Sequence, residues 1–468
     1  MRTIHRTIGF LCLFLFLGVT AAGAVVIVDA GGKRVTVSPP YHRIISLYGA
    51  HTENLFSLGL NKEIIGVSRH EAYPPAATRK PVFSYHEDAE RFIAARPDLV
   101  LVRPMITRGY PALMRKLRAA GITVVSLQPT SVDGMLTYWK TLGLLTGRGK
   151  AAARMIARFE AGIARIKKMV AGIPKDKRKR VYFEAIHSRM KTFAPNAIAM
   201  FALKTAGGIN VAADAKAVRG TNIAEYGKER ILSHADEIDV FLAQRGAMNR
   251  VTRRKILEEG GFKAIKAVRE GRIYIIDEKI ISRPTLRLVT GIYEIGRFLY
   301  PETFNDVSNL RAKKLLTRAQ FAEMIVKVTG IPIKTPSYRH DILKRRKGSH
   351  CYGDYRDVDY TSEASAYIET AVARGLFRNA GGRRFFPLKP ILRGDVAYGI
   401  FMKFDLPEAR PVKISDIPED DPLYPQAAAV AGLGIMKLNQ GKFAPGRVVS
   451  GEAAYQALKR AVAVTERK

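Results

Sequence analysis

The sequence predicts two α/β lobes bridged by one long helix, followed by a small all-α repeat domain. Three observations carry this reading. Strand and helix patterns alternate from residue 43 to 126 and again from 181 to 299, the rhythm of parallel sheets with crossover helices. Between the two runs, residues 134–170 read as helix throughout, with an apolar stripe of Met155, Ile156, Phe159, Ile163, Ile166 and Met169. Beyond residue 311 the chain repeats a motif of its own.

The chain opens with basic Arg2, His5 and Arg6, an apolar run from Ile8 to Val19, and Ala22-Gly23-Ala24. That order is expected of a secretory signal peptide over residues 1–24, and the run is shorter than the ~20 residues a spanning helix needs. Cys12 sits inside the apolar run, so Cys351 alone remains after cleavage and no intramolecular disulfide can form. Val25–Asp29 and Val35–Val37 flank a Gly-Gly turn and predict a hairpin. Strands follow at 43–47, 64–67, 98–102 and 121–126, with a helix over 111–120 and another over 53–58. For that last helix Thr52 is the expected N-cap and Glu53 a first-turn partner of the dipole. Pro174 and the run Lys175–Arg180 end the long helical stretch. A second set then begins: strands 181–185, 238–243 and 273–277, and helices 197–206, 228–233 and 285–299.

With 77 Lys+Arg against 42 Asp+Glu, the formal charge is +35, a field that attracts polyanions. The excess is spread along the chain, with no zinc-finger spacing and no RNA-recognition signature, so nucleic acid is not an expected partner. A hydrophobic share of 47% supports large cores and excludes a disordered chain. There is no G-x-S-x-G elbow, no phosphate loop, and no G-x-G-x-x-G opening a helix after a strand, so an enzyme is not expected. No two histidines fall at a metal-pair spacing on one helix, which disfavours a bare-ion site.

Arg43–Gly66 (RIISLYGAHTENLFSLGLNKEIIG), Ala95–Val100, Ala206–Asn210 and Lys228–Leu232, in that order, resemble the class III periplasmic binding proteins. These are solute receptors of ABC importers for ferric siderophores, haem and cobalamin. The resemblance implies two Rossmann-like lobes: an N-terminal lobe over 25–135, an inter-lobe helix over 136–174 and a C-terminal lobe over 175–305. It also implies that Glu53 and Glu229 dock on the permease. Ligand belongs in the cleft at the carboxyl ends of the strands. By position the cleft loops contribute Tyr48, His51, Arg69, His70, Tyr85, His86, Arg103, His187 and Arg283. Arg and Tyr suit an anionic or planar chelate, pairing with carboxylates and offering flat faces. The expectation is therefore a metal chelate, iron-siderophore or haem, with a corrinoid as the alternative and no resident cofactor. A structural envelope protein that has lost its ligand is the reading from another class.

In the tail, Asp357 and Gly375 of one unit and Asp416 and Gly434 of the next are both 18 residues apart, and each unit closes with a helix start. A third helix start at Leu316–Gln320 lacks its front half, giving two to three copies over 311–468, the first incomplete. Thr317-Arg-Ala-Gln320 and Leu392-Arg-Gly-Asp395 resemble the helix-opening motif of S-layer homology domains, which hold envelope polymers. The resemblance makes Arg318 and Arg393 the polymer-binding candidates, with Ser450 replacing the Arg in the last copy. Lys334–Gly353 is basic and reads as an exposed connector. Together these readings predict an exported, envelope-associated receptor whose partners are a permease, a small chelate and a wall polymer.

Overall fold

The computed structural model describes residues 24–467 except 70, 72, 219–220, 334–354, 361 and 379–382. The signal-peptide run, His70, both cysteines and the basic connector lie outside the described residues.

An antiparallel hairpin of β1 (Val25–Val28) and β2 (Arg34–Val37) precedes the first lobe. The lobe itself runs β3 (Ile44–Ser46), α1 (Gly49–Ser57), β4 (Ile64–Ser68), β5 (Val82–Phe83), α2 (Ala89–Ala94) and β6 (Leu99–Val102). It ends with α3 (Pro104–Gly109), α4 (Pro111–Ala119) and β7 (Thr123–Ser126). The strands lie in the order β5-β4-β3-β6-β7, all parallel. Every residue of β3 and β6 is buried, which is why these segments read as continuous apolar runs instead of alternating.

The bridge is two helices, not the single one expected: α5 (Val132–Leu145) and α6 (Gly149–Ala171). Gly147, at φ +65°, makes the break, a conformation that favours glycine. The two helices cross closely, since a Cβ on Gly143 would come within 2.7 Å of the Ala152 methyl. The predicted stripe on α6 is buried at Met155, Phe159, Ile163 and Ile166.

The second lobe contains β8 (Arg180–Ile186), β9 (Lys191–Phe193), α7 (Ile198–Thr205), β10 (Ile209–Asn210), β11 (Lys216–Ala217), β12 (Ile223–Glu225) and α8 (Lys228–Ser233). It continues with β13 (Val240–Arg245), α9 (Arg253–Glu258), α10 (Lys266–Arg269), β14 (Ile273–Asp277), α11 (Glu278–Ile281) and α12 (Leu288–Leu299). Its sheet order is β11-β12-β9-β8-β13-β14, with β10 beside β8. The pairs of β8, β13 and β14 are parallel, while β9, β12 and β11 add an antiparallel wing. One apolar core joins both lobes, running through α5 and α6 from Ile44 to Phe241.

After α13 (Pro301–Phe304) and α14 (Ser308–Arg311) the regular elements among the described residues of the repeat module are all helices: α15 (Arg318–Val328), α16 (Glu363–Ala373), α17 (Arg393–Lys403), α18 (Tyr424–Gly432) and α19 (Gly451–Glu466). Its separate core takes in Val307 and Leu310, so the module begins inside α14's approach. The repeat has a physical signature. The Asp357 carboxylate accepts from the amides of Phe385 and Phe386 (2.9 and 2.8 Å), and Asp416 does the same for Phe443 and Ala444 (2.6 and 2.7 Å). Each aspartate thereby ties the start of its unit to the turn before the unit's last helix.

Candidate functional site

The first lobe presents α1 to the cleft. The helix begins at Gly49, four residues earlier than predicted, with Tyr48 at the N-cap and no side-chain cap on its first-turn amides. Thr52 is inside the helix, its hydroxyl 2.7 Å from that of Ser46, so it is not the cap. Tyr48 carries the Arg103 guanidinium over its ring, 4.5 Å from the centroid. Arg283 reaches this point from the other lobe: a Cβ on Gly49 would meet its Nη1, so the guanidinium lies directly against the start of α1. Among the described residues the Arg283 side chain has no hydrogen-bond or ion-pair partner. Glu71 is the nearby acid, buried and bonded to the Ser68 hydroxyl (2.6 Å), with its second oxygen unpartnered. Burial pushes its pKa up to about 7, against the opposing pull of Ser68 and Arg283. Tyr48, Arg103 and Arg283 are thus brought together around the amino end of α1, where a helix favours negative charge.

Other expected residues fall elsewhere. His51 is fully buried, its ring 2.6 Å from the Tyr138 hydroxyl and 3.1 Å from the Val102 carbonyl. Desolvation lowers its pKa to about 3, so it is a neutral core histidine and not a ligand contact. Tyr85 and His86 form an aromatic group with Tyr110, whose hydroxyl is 2.8 Å from His86 Nδ1. Arg69 is exposed. His187 is bonded to Glu184 (2.8 Å), an interaction that raises its pKa ahead of the opposing effect of burial, and Glu259 stands 3.6 Å from its other nitrogen.

Glu53 corrects the docking expectation. It is 2% exposed and makes a bidentate ion pair with Arg287 of the second lobe, both contacts at 2.7 Å. It joins the lobes and cannot present a carboxylate to another protein. Glu229, by contrast, is exposed in the first turn of α8.

Sequence reasoning missed Arg287 and Glu71, and the only signal was their neighbourhood to Arg283 and His70. A cavity of about 390 Å³, walled by Tyr73, Arg287, Tyr360, Ser365 and Glu369 along α6, lies at the junction with the repeat module.

In the repeat module, Arg318 is buried: its Nε donates to the Phe385 carbonyl and its Nη1 to Asp395, both at 2.9 Å. It is a structural tie between repeats, which corrects the polymer-binding expectation. Arg393 makes the matching bond to the Phe443 carbonyl (2.6 Å) but remains half-buried. Ser450 is the N-cap of α19, accepting from the Ala453 amide, so it stands at the Thr position and Gly451 at the Arg position. A Cβ at Gly451 would strike the Leu310 carbonyl, so α14 fills the space an arginine would need.

Compared with known proteins, residues 44–280 match the periplasmic binding protein family and residues 354–397 and 413–454 match the S-layer homology domain. The chain belongs to the periplasmic binding protein family. It is an extracytoplasmic solute receptor of the ABC-importer type, exported and envelope-associated through its S-layer homology domains. Among curated relatives, an uncharacterized ABC transporter substrate-binding lipoprotein of Bacillus subtilis is 26% identical over 289 residues, 60% of this chain and 87% of the relative. A cobalamin-binding protein of Halobacterium salinarum is 26% identical over 280 residues, 59% of this chain and 74% of its own. A periplasmic haem-binding protein of Roseiflexus aligns at 24% identity over 56% of this chain and 100% of that one, with a TM-score of 0.48. Among the described residues no helix is long and apolar enough to cross a membrane.

Proposed function

We propose that this receptor captures an anionic metal chelate, a ferric siderophore or haem, in the cleft between its lobes and releases it unchanged to a permease. One observation carries the reading: Arg283, with no hydrogen-bond or ion-pair partner among the described residues, stands at the uncapped amino end of α1, beside Arg103 and Tyr48. A carboxylate-bearing chelate would take a bidentate contact from Arg283 and a flat contact from Tyr48. A corrinoid is the second reading, favoured by the cobalamin-binding relative. Titration of the purified protein with haemin, a ferric hydroxamate and cyanocobalamin, followed by absorbance, decides between them. Arg283→Glu should weaken an anionic chelate by about 10- to 100-fold, the scale of one charge-assisted contact left unpaired. Equal affinity in wild type and R283E would sink the anionic reading, and no binding of any chelate would favour a structural envelope protein.

Delivery on this reading uses Glu90 and Glu229. Each is the second residue of a six-residue helix, α2 and α8, in an Ala-Glu-Arg or Lys-Glu-Arg sequence, and each is exposed. Lys116 approaches Glu90 at 3.5 Å, an exposed pair that a permease arginine can displace. Reversing both charges should abolish chelate transport in reconstituted vesicles while chelate affinity stays within twofold. Undiminished transport would remove these residues from the interface. In the repeat module Arg393 remains the polymer-binding candidate, testable by loss of pelleting with isolated cell wall in R393E.

A further inference from the structure

The repeat module is seated on the receptor through a polar cluster at the lobe junction. Tyr73, from the first lobe, donates its hydroxyl to the Tyr360 carbonyl of the module (2.7 Å) and lies 3.4 Å from the Ser365 hydroxyl on α16. The Tyr73 ring carries the Arg287 guanidinium, 4.0 Å from its centroid, and Arg287 in turn grips Glu53. Glu369, one turn along α16, is buried against the same group and bonded to Ser365 (3.3 Å). Farther out, Arg165 of α6 pairs with Glu363 of α16.

Arg287 also ends the loop that carries Arg283. The middle of that loop is pinned at the Pro284 carbonyl, which accepts from the Asn54 amide (2.9 Å) and the Trp139 indole (3.1 Å). Its end is held by Glu53 and Tyr73 on one side and by the module behind Tyr73 on the other. A continuous set of contacts therefore runs from α16 through Tyr73 and Arg287 to the loop presenting Arg283.

We propose that the repeat module is a positioning element of the ligand site, with Tyr73 and Glu369 fixing the loop from which Arg283 meets the chelate. The ligand half of this statement rests on the receptor reading given above. The loop half stands by itself, because a contact network with a buried ion pair and a buried hydroxyl orients whatever the loop carries.

The chain contains one tryptophan, Trp139, and its indole is bonded to this loop, so its fluorescence reports loop fixation without any chelate. In the full-length mature protein, Tyr73→Phe removes only the hydroxyl and Glu369→Lys drives α16 away from Arg287. Both should raise acrylamide quenching of Trp139 about twofold or more and weaken haemin or ferric hydroxamate binding about 3- to 10-fold, the worth of one lost hydrogen bond. Glu369→Gln, which keeps shape and neutrality, should restore both readouts to wild-type values. If Y73F leaves quenching and affinity unchanged, the module does not position the loop, and the proposal falls even if E369K fails to fold. If Y73F raises quenching in a wild-type background that binds none of the chelates, the receptor reading fails while loop fixation by the module stands.

Discussion

At the scale of single residues, burial decides which of the charged groups can serve as contacts. Glu53 looked like a surface carboxylate because its partner lies 234 residues away, beyond anything local spacing reveals. The same is true of Glu369, an acid on a helix face that is solvent-exposed in isolation. In the fold, burial is the largest influence on it and pushes its pKa up to about 8 from 4.5, against the opposing pull of Arg287, Ser365 and Tyr73. The native state therefore keeps a proton that the unfolded chain releases above about pH 4.5. Wherever the native state binds more protons, stability falls as pH rises, here between about 4.5 and 8, with a plateau above. Glu71 and His187, both raised, act in the same direction, and His51, lowered, acts oppositely below pH 6.5. All three cancel when wild type is compared with E369Q. The urea-denaturation free energy of wild type should fall relative to E369Q by on the order of 1–3 kcal/mol between pH 5 and pH 8. Parallel curves would mean that Glu369 titrates normally and is not held neutral beside Arg287.

At the scale of elements, the legible parts of the fold were those whose pattern is dictated by burial on both faces. Strands β3, β6 and β8 announce themselves as apolar runs, and α8 and β14 fall on their predicted residues. The antiparallel wing of β9, β11 and β12 did not, because strands of two or three residues carry no readable period. The start of α1 was misplaced for a related reason. Gly49 and His51 are poor helix formers, and the first turn there is held by the His51 ring bonded to Tyr138 and Val102. The break between α5 and α6 was hidden because Gly147 lies inside an otherwise helical pattern. The cleft arginines and Tyr48 were legible by position at strand ends, whereas the ties that hold their loop, Asn54, Trp139 and Arg287, were not. In the repeats the motif spacing was visible, but the use made of it was not. Arg318 and Arg393 bond the next unit's phenylalanine carbonyl, so the motif arginine is first a repeat-to-repeat tie.

For the whole molecule, the apolar core shared by the lobes and that of the repeat module meet across a polar seam, while a third cluster fills the other face of the first lobe's sheet. Separate cores ordinarily melt separately, since domain interfaces inside a chain resemble transient contacts. This seam differs in that it buries charge. Arg297 of α12, 5% exposed, pairs with Glu294 at 2.9 Å and donates to the carbonyls of Ile331 (3.1 Å) and Val326 (3.3 Å) at the end of α15. Glu294 accepts in return from the Ile333 amide (2.8 Å). If the module unfolded alone, Arg297 would lose both carbonyl acceptors and Glu294 its amide donor, contacts that only the folded module supplies. The two cores should therefore melt in a single calorimetric transition. Arg297→Lys keeps the charge but lacks the planar fork needed to reach both carbonyls and Glu294 together. It should split the trace, with the module melting first and the lobes keeping most of their enthalpy. Two resolved transitions in the wild type would show that the seam does not couple the cores, and that the module is an independent unit on the receptor's back.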